Sequence, residues 1–269
     1  NFIIANFDEP HKPSLAVDNP AFLKKAVVKE GITEIDTCAF YNCKELETIE
    51  LPESVIFVGE KAFDSTAWYE AQPDGAVYLD DILYSIKGTA KITDLTVKDG
   101  TRDIAHKAFR NNPDIETLTI PDSVIGISAN TLQTTKWYKN LPAGPVYAGR
   151  VLYAIKGNCA DEVFRVADGT VTIGEELFYK ENCGDNSKLK TVILPDSIKN
   201  IGYMAFVGCT NLESVNIPDG IENIFYGAFL QCKKLTEANI PDTTGFIGDY
   251  AFSGCENLDT IISNAVEPP

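Results

Sequence analysis

Histidine is almost missing from this chain: 269 residues hold two, His11 and His106. Hydrolytic triads, proton shuttles and most metal centres draw on imidazole, so that chemistry has little to work with. His11 lies in the N-terminal segment. His106 takes a place held by Thr37, Tyr203, Tyr226 and Asp249 in other repeats, a variable position, and both histidines read as solvent-facing bystanders. The sequence also lacks G-x-S-x-G, a phosphate-binding glycine loop, H-E-x-x-H and C-x-x-C. Positive charge is short as well. Against 39 acidic residues stand 23 Lys and Arg, a net charge of −16. Nucleic acid and anionic membranes require the opposite balance. The excess suits solubility, a basic partner or bound cations. No apolar run approaches the roughly 18 residues of a membrane-spanning helix. The chain starts at Asn1 without an initiating Met or a leader peptide. It reads as a mature or trimmed product whose targeting information is missing.

What the chain does have is one phrase, repeated. Ala205-Phe206, Cys209, Leu212 and Ile217-Pro218 return as Ala228-Phe229, Cys232, Leu235 and Ile240-Pro241, each 23 residues later. Anchors at a fixed period of this size mark a solenoid, in which each rung buries its apolar side against its neighbours. A second phrase, L-x-x-L-x-L, opens at Leu23 and runs through Leu46/Ile49/Leu51, Ile115/Leu118/Ile120, Leu189/Val192/Leu194 and Leu212/Val215/Ile217 to Leu258/Ile261/Ser263. Its alternation predicts one short parallel strand per rung. Aliphatic pairs such as Ile32/Ile35 and Ile221/Ile224 should line the back of the core. The Ala-Phe pair should sit in a short helical turn, with Phe inward.

A longer period lies over the first. Trp68-Tyr69, Val77-Tyr78, Leu83-Tyr84 and Lys87-Gly88 recur 69 residues later as Trp137-Tyr138, Val146-Tyr147, Leu152-Tyr153 and Lys156-Gly157. Each 69-residue block, 28–96 and 97–165, therefore holds two ordinary rungs and one modified rung. Asp80-Asp81 reads as a two-residue hairpin turn, with Ala148-Gly149 in its place in the second copy. The step from Phe178 to Phe206 is five residues too long, so a loop should protrude at Cys183–Ser187. Ordinary rungs resume over 189–263. Residues 1–22 do not fit the unit and read as an N-terminal cap, with a short helical turn at Asp18-Asn19-Pro20. Residues 23–269 then form one solenoid domain.

Cys43, Cys209, Cys232 and Cys255 each follow the Phe of an Ala-Phe pair by three residues. They read as a column of buried free thiols. Four thiols in a line do not make a tetrahedral metal site. Cys38, Cys159 and Cys183 lie outside the column and receive no role. Asp80-Asp81 and Asp161-Glu162 lack the spacing of a calcium loop and read as solvated turns. No metal or other cofactor is expected.

The phrases Ile-Pro-Asp-x-Val, Ile-Gly-x-x-Ala-Phe and Cys-x-x-Leu-x-x-Val resemble the bacterial BspA-type leucine-rich repeats over about residues 23–263. The resemblance implies an α/β repeat solenoid: a curved, right-handed coil with a concave parallel β-sheet and about eleven rungs, two of them modified hairpin rungs. It implies export and display at a bacterial surface, adhesion to matrix proteins or other bacteria in some members, and no shared catalytic residues. The expected function is non-catalytic recognition of a protein or glycan, host molecules included. The expected state is a monomer without nucleic acid or membrane insertion. A structural spacer displaying another domain is the alternative, with an enzyme a remote third. On the concave face, outward-pointing Thr117, Thr119, Thr191, Ser214, Asn216 and Asn239 are the candidate ligand contacts. The alternative is an aromatic platform of Trp68, Tyr78, Tyr84, Trp137, Tyr147 and Tyr153.

Overall fold

The computed structural model describes residues 14–15, 22–55, 57–158, 161–184 and 186–263. The cap assigned to residues 1–22, with His11 and the Asp18–Pro20 turn, falls almost wholly outside them, as does Cys159. The described residues form a β-solenoid of about ten turns spaced by 23 residues. Strand and turn dominate. Helix is confined, among these residues, to Ala67–Glu70, Lys136–Asn140 and Lys180–Cys183. The chain divides into two compact units, one of residues 1–121 and 130–140 and the other of residues 122–129 and 141–269.

Each ordinary rung carries two strands. The front strand is the end of the L-x-x-L-x-L phrase. In the second unit Val163–Arg165, Thr191–Ile193 and Ser214–Asn216 pair in parallel, with Phe164, Val192 and Val215 in register and facing the core. Glu237–Ile240 pairs likewise with Thr260–Ser263. The aliphatic pair forms a second, shorter back strand that the sequence pattern did not announce. Thr172–Ile173, Asn200–Ile201, Asn223–Ile224 and Phe246–Ile247 stack in parallel behind the core. A two-residue strand shows no alternation to read. Ile201 and Ile224 are fully buried. Outside them runs an amide ladder: Asn223 donates to Asn200 at 2.8 Å, and Asn200 to Thr172 at 3.1 Å.

The Ala-Phe segment is a chain of hydrogen-bonded turns rather than a helix. Left-handed residues interrupt it on both sides, Cys38 (φ 61°) and Asn42 (φ 64°) around Ala39-Phe40 and Met204 (φ 49°) and Gly208 (φ 70°) around Ala205-Phe206, and a right-handed helix cannot pass through that conformation. The Phe rings stack face to face, Phe178 on Phe206 at 4.9 Å, Phe206 on Phe229 at 5.1 Å and Phe229 on Phe252 at 5.2 Å. Behind them, the Phe206 N–H donates to the Ala228 carbonyl and the Phe229 N–H to the Ala251 carbonyl, both at 2.8 Å.

The cysteine column closes the same corner. Cys232 Sγ donates to the Phe206 carbonyl and Cys255 Sγ to that of Phe229, each at 3.2 Å, and Cys209 Sγ reaches the Phe178 carbonyl at 3.7 Å. The thiol thus offers a donor to a carbonyl of the preceding rung, which an alanine of similar size could not. Cys43, Cys209 and Cys232 are buried; Cys255 is half-buried and Cys38 exposed, and all five are free thiols. Cys183 does have a place: it is fully buried in the core at the end of helix Lys180–Cys183. The insertion is therefore only partly a protruding loop. Asn186 turns back to donate to the Phe178 carbonyl at 2.7 Å.

In the first unit the modified rung replaces both strands of an ordinary rung. Helix Ala67–Glu70 begins on buried Thr66, whose hydroxyl accepts from the Tyr69 N–H and donates to the Phe63 carbonyl, an N-cap. Thr135 repeats both bonds with Tyr138 and Leu132. Hairpin Gly75–Leu79/Ile82–Lys87 follows, bulged at Val77/Tyr78. Its second strand pairs in parallel with Asp103–Ile104 and so continues the back sheet. No front strand is formed here. Lys25–Val27 with Thr48–Glu50, and Asp94–Thr96 with Thr117–Thr119, are separate pieces of front sheet. Lys87 Nζ donates to the carbonyls of Tyr69, Glu70 and Gln72 at 2.8–3.0 Å. It caps the C-terminus of the helix, which explains why Lys-Gly recurs. In the second unit Gly144–Ala148 pairs with Val151–Lys156 with the same bulge. The turn there is Gly149-Arg150, one residue later than expected from sequence, because Ala148 is buried as the last strand residue.

Candidate functional site

The front face of the second unit is built by alternation. Val192 and Val215 point inward, so Thr191, Ile193, Ser214 and Asn216 point outward. Ser214 is exposed, and its hydroxyl donates to that of Thr191, half-buried, at 3.3 Å. Asn216 has a different task. Its amide oxygen accepts from the Leu194 N–H at 2.8 Å and its amide nitrogen donates to the Leu194 carbonyl at 2.9 Å. The side chain copies a strand partner where the ladder ends. Asn239 and Glu237 are exposed on the adjoining front piece.

Thr117 and Thr119 are exposed on the front face of the first unit, in register with Asp94 and Thr96. The hydroxyls of Thr93 and Thr117 hold the Asp94 carboxyl below its ordinary value.

The six aromatic candidates do not form a platform. Tyr84 and Tyr153 are 3% and 4% exposed, core residues rather than surface ones. Tyr84 packs edge-on against Phe63, Trp68 and Tyr69 at 5.7–6.0 Å. Burial, with the Asp64 carboxylate beside it, pushes its phenol well up. Trp68 and Trp137 are half-buried, and their backbone N–H groups donate to the Leu46 and Ile115 carbonyls at 2.7 Å. Tyr78 and Tyr147 use their hydroxyls as acceptors for the backbone N–H groups of Lys98 (2.8 Å) and Ala167 (3.0 Å). These are equivalent positions 69 residues apart. The recurrence that made the aromatics look functional is explained by packing and backbone satisfaction.

His106 is not a bystander in solvent. It is half-buried, with its ring 6.2 Å from that of Phe57. No group of three or more potential ligands that could hold a metal occurs among the described residues. No helix among them is long and apolar enough to cross a membrane.

The repeat profile described as the BspA type leucine rich repeat region matches in six copies, over residues 17–137 and 171–266. The chain belongs to the BspA-type leucine-rich-repeat family. The stretch between the two matches, 138–170, holds the second hairpin, Gly144–Ala148 with Val151–Lys156. No curated protein sequence matches the chain significantly. Among solved structures, this BspA-type protein is similar to the pneumococcal vaccine antigen PcpA at 17% identity, covering 94% of this chain and 66% of that one, with a TM-score of 0.42. It is also similar to a leucine rich cell surface protein from Faecalibacterium prausnitzii A2-165, at 20% identity, 97% and 80% coverage and a TM-score of 0.39. A leucine-rich repeat protein from Bacteroides ovatus ATCC 8483 follows at 22% identity, 96% and 88% coverage and a TM-score of 0.29.

Proposed function

We propose that this BspA-type protein is a non-catalytic recognition module displayed at a bacterial surface, and that it meets a protein or glycan through the front face of its second unit. One observation carries the reading. Apart from Ile193, the outward residues of Thr191–Ile193, Ser214–Asn216 and Glu237–Ile240 are polar and mostly exposed, on strands whose inward residues are core. Such a surface offers rigid, regularly spaced donors and acceptors at little entropic cost, and repeat solenoids present extended surfaces of this kind to partners. Within it Ser214, Asn239 and Thr191 are the proposed contacts, and Asn216 supports them by holding Leu194. On the first unit Thr119 is the corresponding open position. Membership of the BspA-type family supports the surface and non-catalytic parts of this reading.

Binding of the whole chain to immobilised matrix proteins and to a glycan array tests this. Thr191→Arg with Ser214→Arg should abolish any binding found while leaving the circular dichroism spectrum and melting unchanged. Retention of binding by that variant would remove the front face from the reading. No binding to either panel would favour the spacer alternative, which the self-satisfied hydroxyls of Tyr78 and Tyr147 already suit.

A further inference from the structure

The chain has four arginines. Three are anchored. Arg102 binds Asp81 and the Val55 carbonyl, Arg110 binds Glu60 and Asp64, and Arg150 donates to the Gly169 carbonyl. Arg165 is exposed and has no hydrogen bond or ion pair among the described residues. Its guanidinium carries a fixed charge and five donors, in a chain whose net charge is −16.

The strand sets where it stands. Phe164 turns inward and packs edge-on against Phe178 at 5.1 Å, so Val163 and Arg165 stand on the front face. Val163–Arg165 is the end strand of its three-stranded front sheet. Within that sheet Arg165 has a strand on one side only. There it lies in register with Ile193, and Val163 lies in register with Thr191.

The groups around it are donors and small apolar side chains. Ser214 gives its hydroxyl proton to Thr191, which leaves the Thr191 proton for a ligand. Asn216 spends both ends of its amide on Leu194. Glu162 is compensated by Lys190 at 3.1 Å. Asp161 and Asp168 lie beyond the two ends of the Arg165 strand. Glu213 and Glu237 lie two and three rungs on, roughly 10 and 14 Å away at the spacing of paired strands. Val163, 45% exposed, and half-buried Ile193 flank the guanidinium.

These features select an anion and limit its size. A guanidinium beside a hydroxyl donor matches a carboxylate. The field of the whole chain repels a polyanion. A single charge held against Arg165, well inside a screening length of about 8 Å, answers to the local pair instead. The outward residues of these front strands include no Trp or Tyr anchor of the kind that dominates protein interfaces. Ser214 and Asn239 suit the hydroxyls of a sugar, and Val163 with Ile193 suits a methyl group. We propose that Arg165, Thr191, Val163 and Ile193 form a subsite for a terminal sugar of the sialic-acid type, which carries one carboxylate and one N-acetyl group. The rest of the glycan runs across Ser214 and Asn239. The subsite rests on the front-face reading and names its ligand.

The test is isothermal titration calorimetry of the whole chain with α2,3-sialyllactose and with lactose, at physiological salt. Saturable binding of sialyllactose is expected, with lactose bound at least about tenfold more weakly, as loss of a charged hydrogen-bond partner implies. Arg165→Gln should weaken sialyllactose to a similar degree with no change in melting. Arg165→Lys, which keeps the charge but not the planar fork, should fall between. Ser214→Tyr, which fills the face without altering its charge, should abolish binding. Failure of sialyllactose to bind, or binding indifferent to Arg165→Gln, would overturn the subsite. The front-face reading would still stand if a neutral glycan or a matrix protein bound and Ser214→Tyr removed it. Equal binding of a disaccharide ending in glucuronic acid, which lacks the N-acetyl group, would overturn the sugar assigned. Sialyllactose binding that survives Ser214→Tyr would overturn both the subsite and the reading beneath it.

Discussion

The hydroxyl of Tyr84 accepts the backbone N–H of Phe63 at 2.9 Å and donates to the Asp64 carboxylate at 2.7 Å. One rung earlier the equivalent N–H, that of Phe40, finds the Ala62 carbonyl at 2.8 Å. The modified rung has no Ala-Phe turn and hence no carbonyl at that point. A tyrosine from the hairpin reaches across and puts an oxygen there instead. The hairpin can replace an ordinary rung without leaving a buried donor unpaired.

Tyr84→Phe should therefore cost more than the loss of a hydroxyl on a surface. It strands the buried Phe63 N–H, and the unfolding free energy should fall by about 1–3 kcal/mol. Urea denaturation reads this directly. Tyr78→Phe, whose partner Lys98 N–H is exposed, should cost clearly less. Equal effects would contradict the substitution of hydroxyl for carbonyl.

The Phe stack sets a second expectation. Phe206→Ala removes a fully buried ring between two others and should cost roughly 3–5 kcal/mol. Phe252→Ala should cost less, because Phe252 is half-buried and packs on one neighbour, Phe229, among the described residues. A ranking with Phe252 at or above Phe206 would refute the packing described.

Thiol reactivity should follow burial. Cys38 should label rapidly in the native protein and Cys255 at an intermediate rate, while Cys43, Cys209 and Cys232 stay protected until the protein unfolds. Burial pushes the Cys43 thiol up to about 11 and that of Cys232 well above its ordinary value, so the nucleophilic thiolate is scarce at neutral pH. Mass spectrometry after timed alkylation gives the order, and fast labelling of Cys232 would contradict it.

Asp103 gives a pH dependence. It is buried in the first unit against Arg102, whose guanidinium also binds Asp81 at 3.0 Å and the Val55 carbonyl at 2.7 Å. Burial pushes the Asp103 carboxyl up to about 7; Arg102 opposes the shift and Asp81 adds to it. Its folded value thus lies above that of the unfolded chain, so between about pH 4 and 7 the native state binds a proton that the unfolded state does not. This group's contribution is greatest at the acidic end of that window and is lost as pH rises toward 7, at no more than about 1.4 kcal/mol per pH unit. Asp103→Asn should remove that slope. The comparison is of urea melts of both proteins across the window, and parallel curves would refute it.

The 23-residue period by itself determined the solenoid, its front strands, the inward Phe and Cys columns and the hairpin rungs. Each depends on residues recurring at fixed spacing, because every rung must bury the same positions against the next. Position in that register was legible; hydrogen-bond partnership was not. The two-residue back strands and the Asn216 clasp on Leu194 join groups brought together only by stacking. The same limit applies to the surface. Recurrence made Tyr84 and Tyr153 look like a repeated platform, but both rings are buried in the core of their hairpin rungs. Arg165 does not recur and carried no signal in one dimension. Only the stacking of rungs, which sets neighbouring strands about 5 Å apart, placed it beside Ile193.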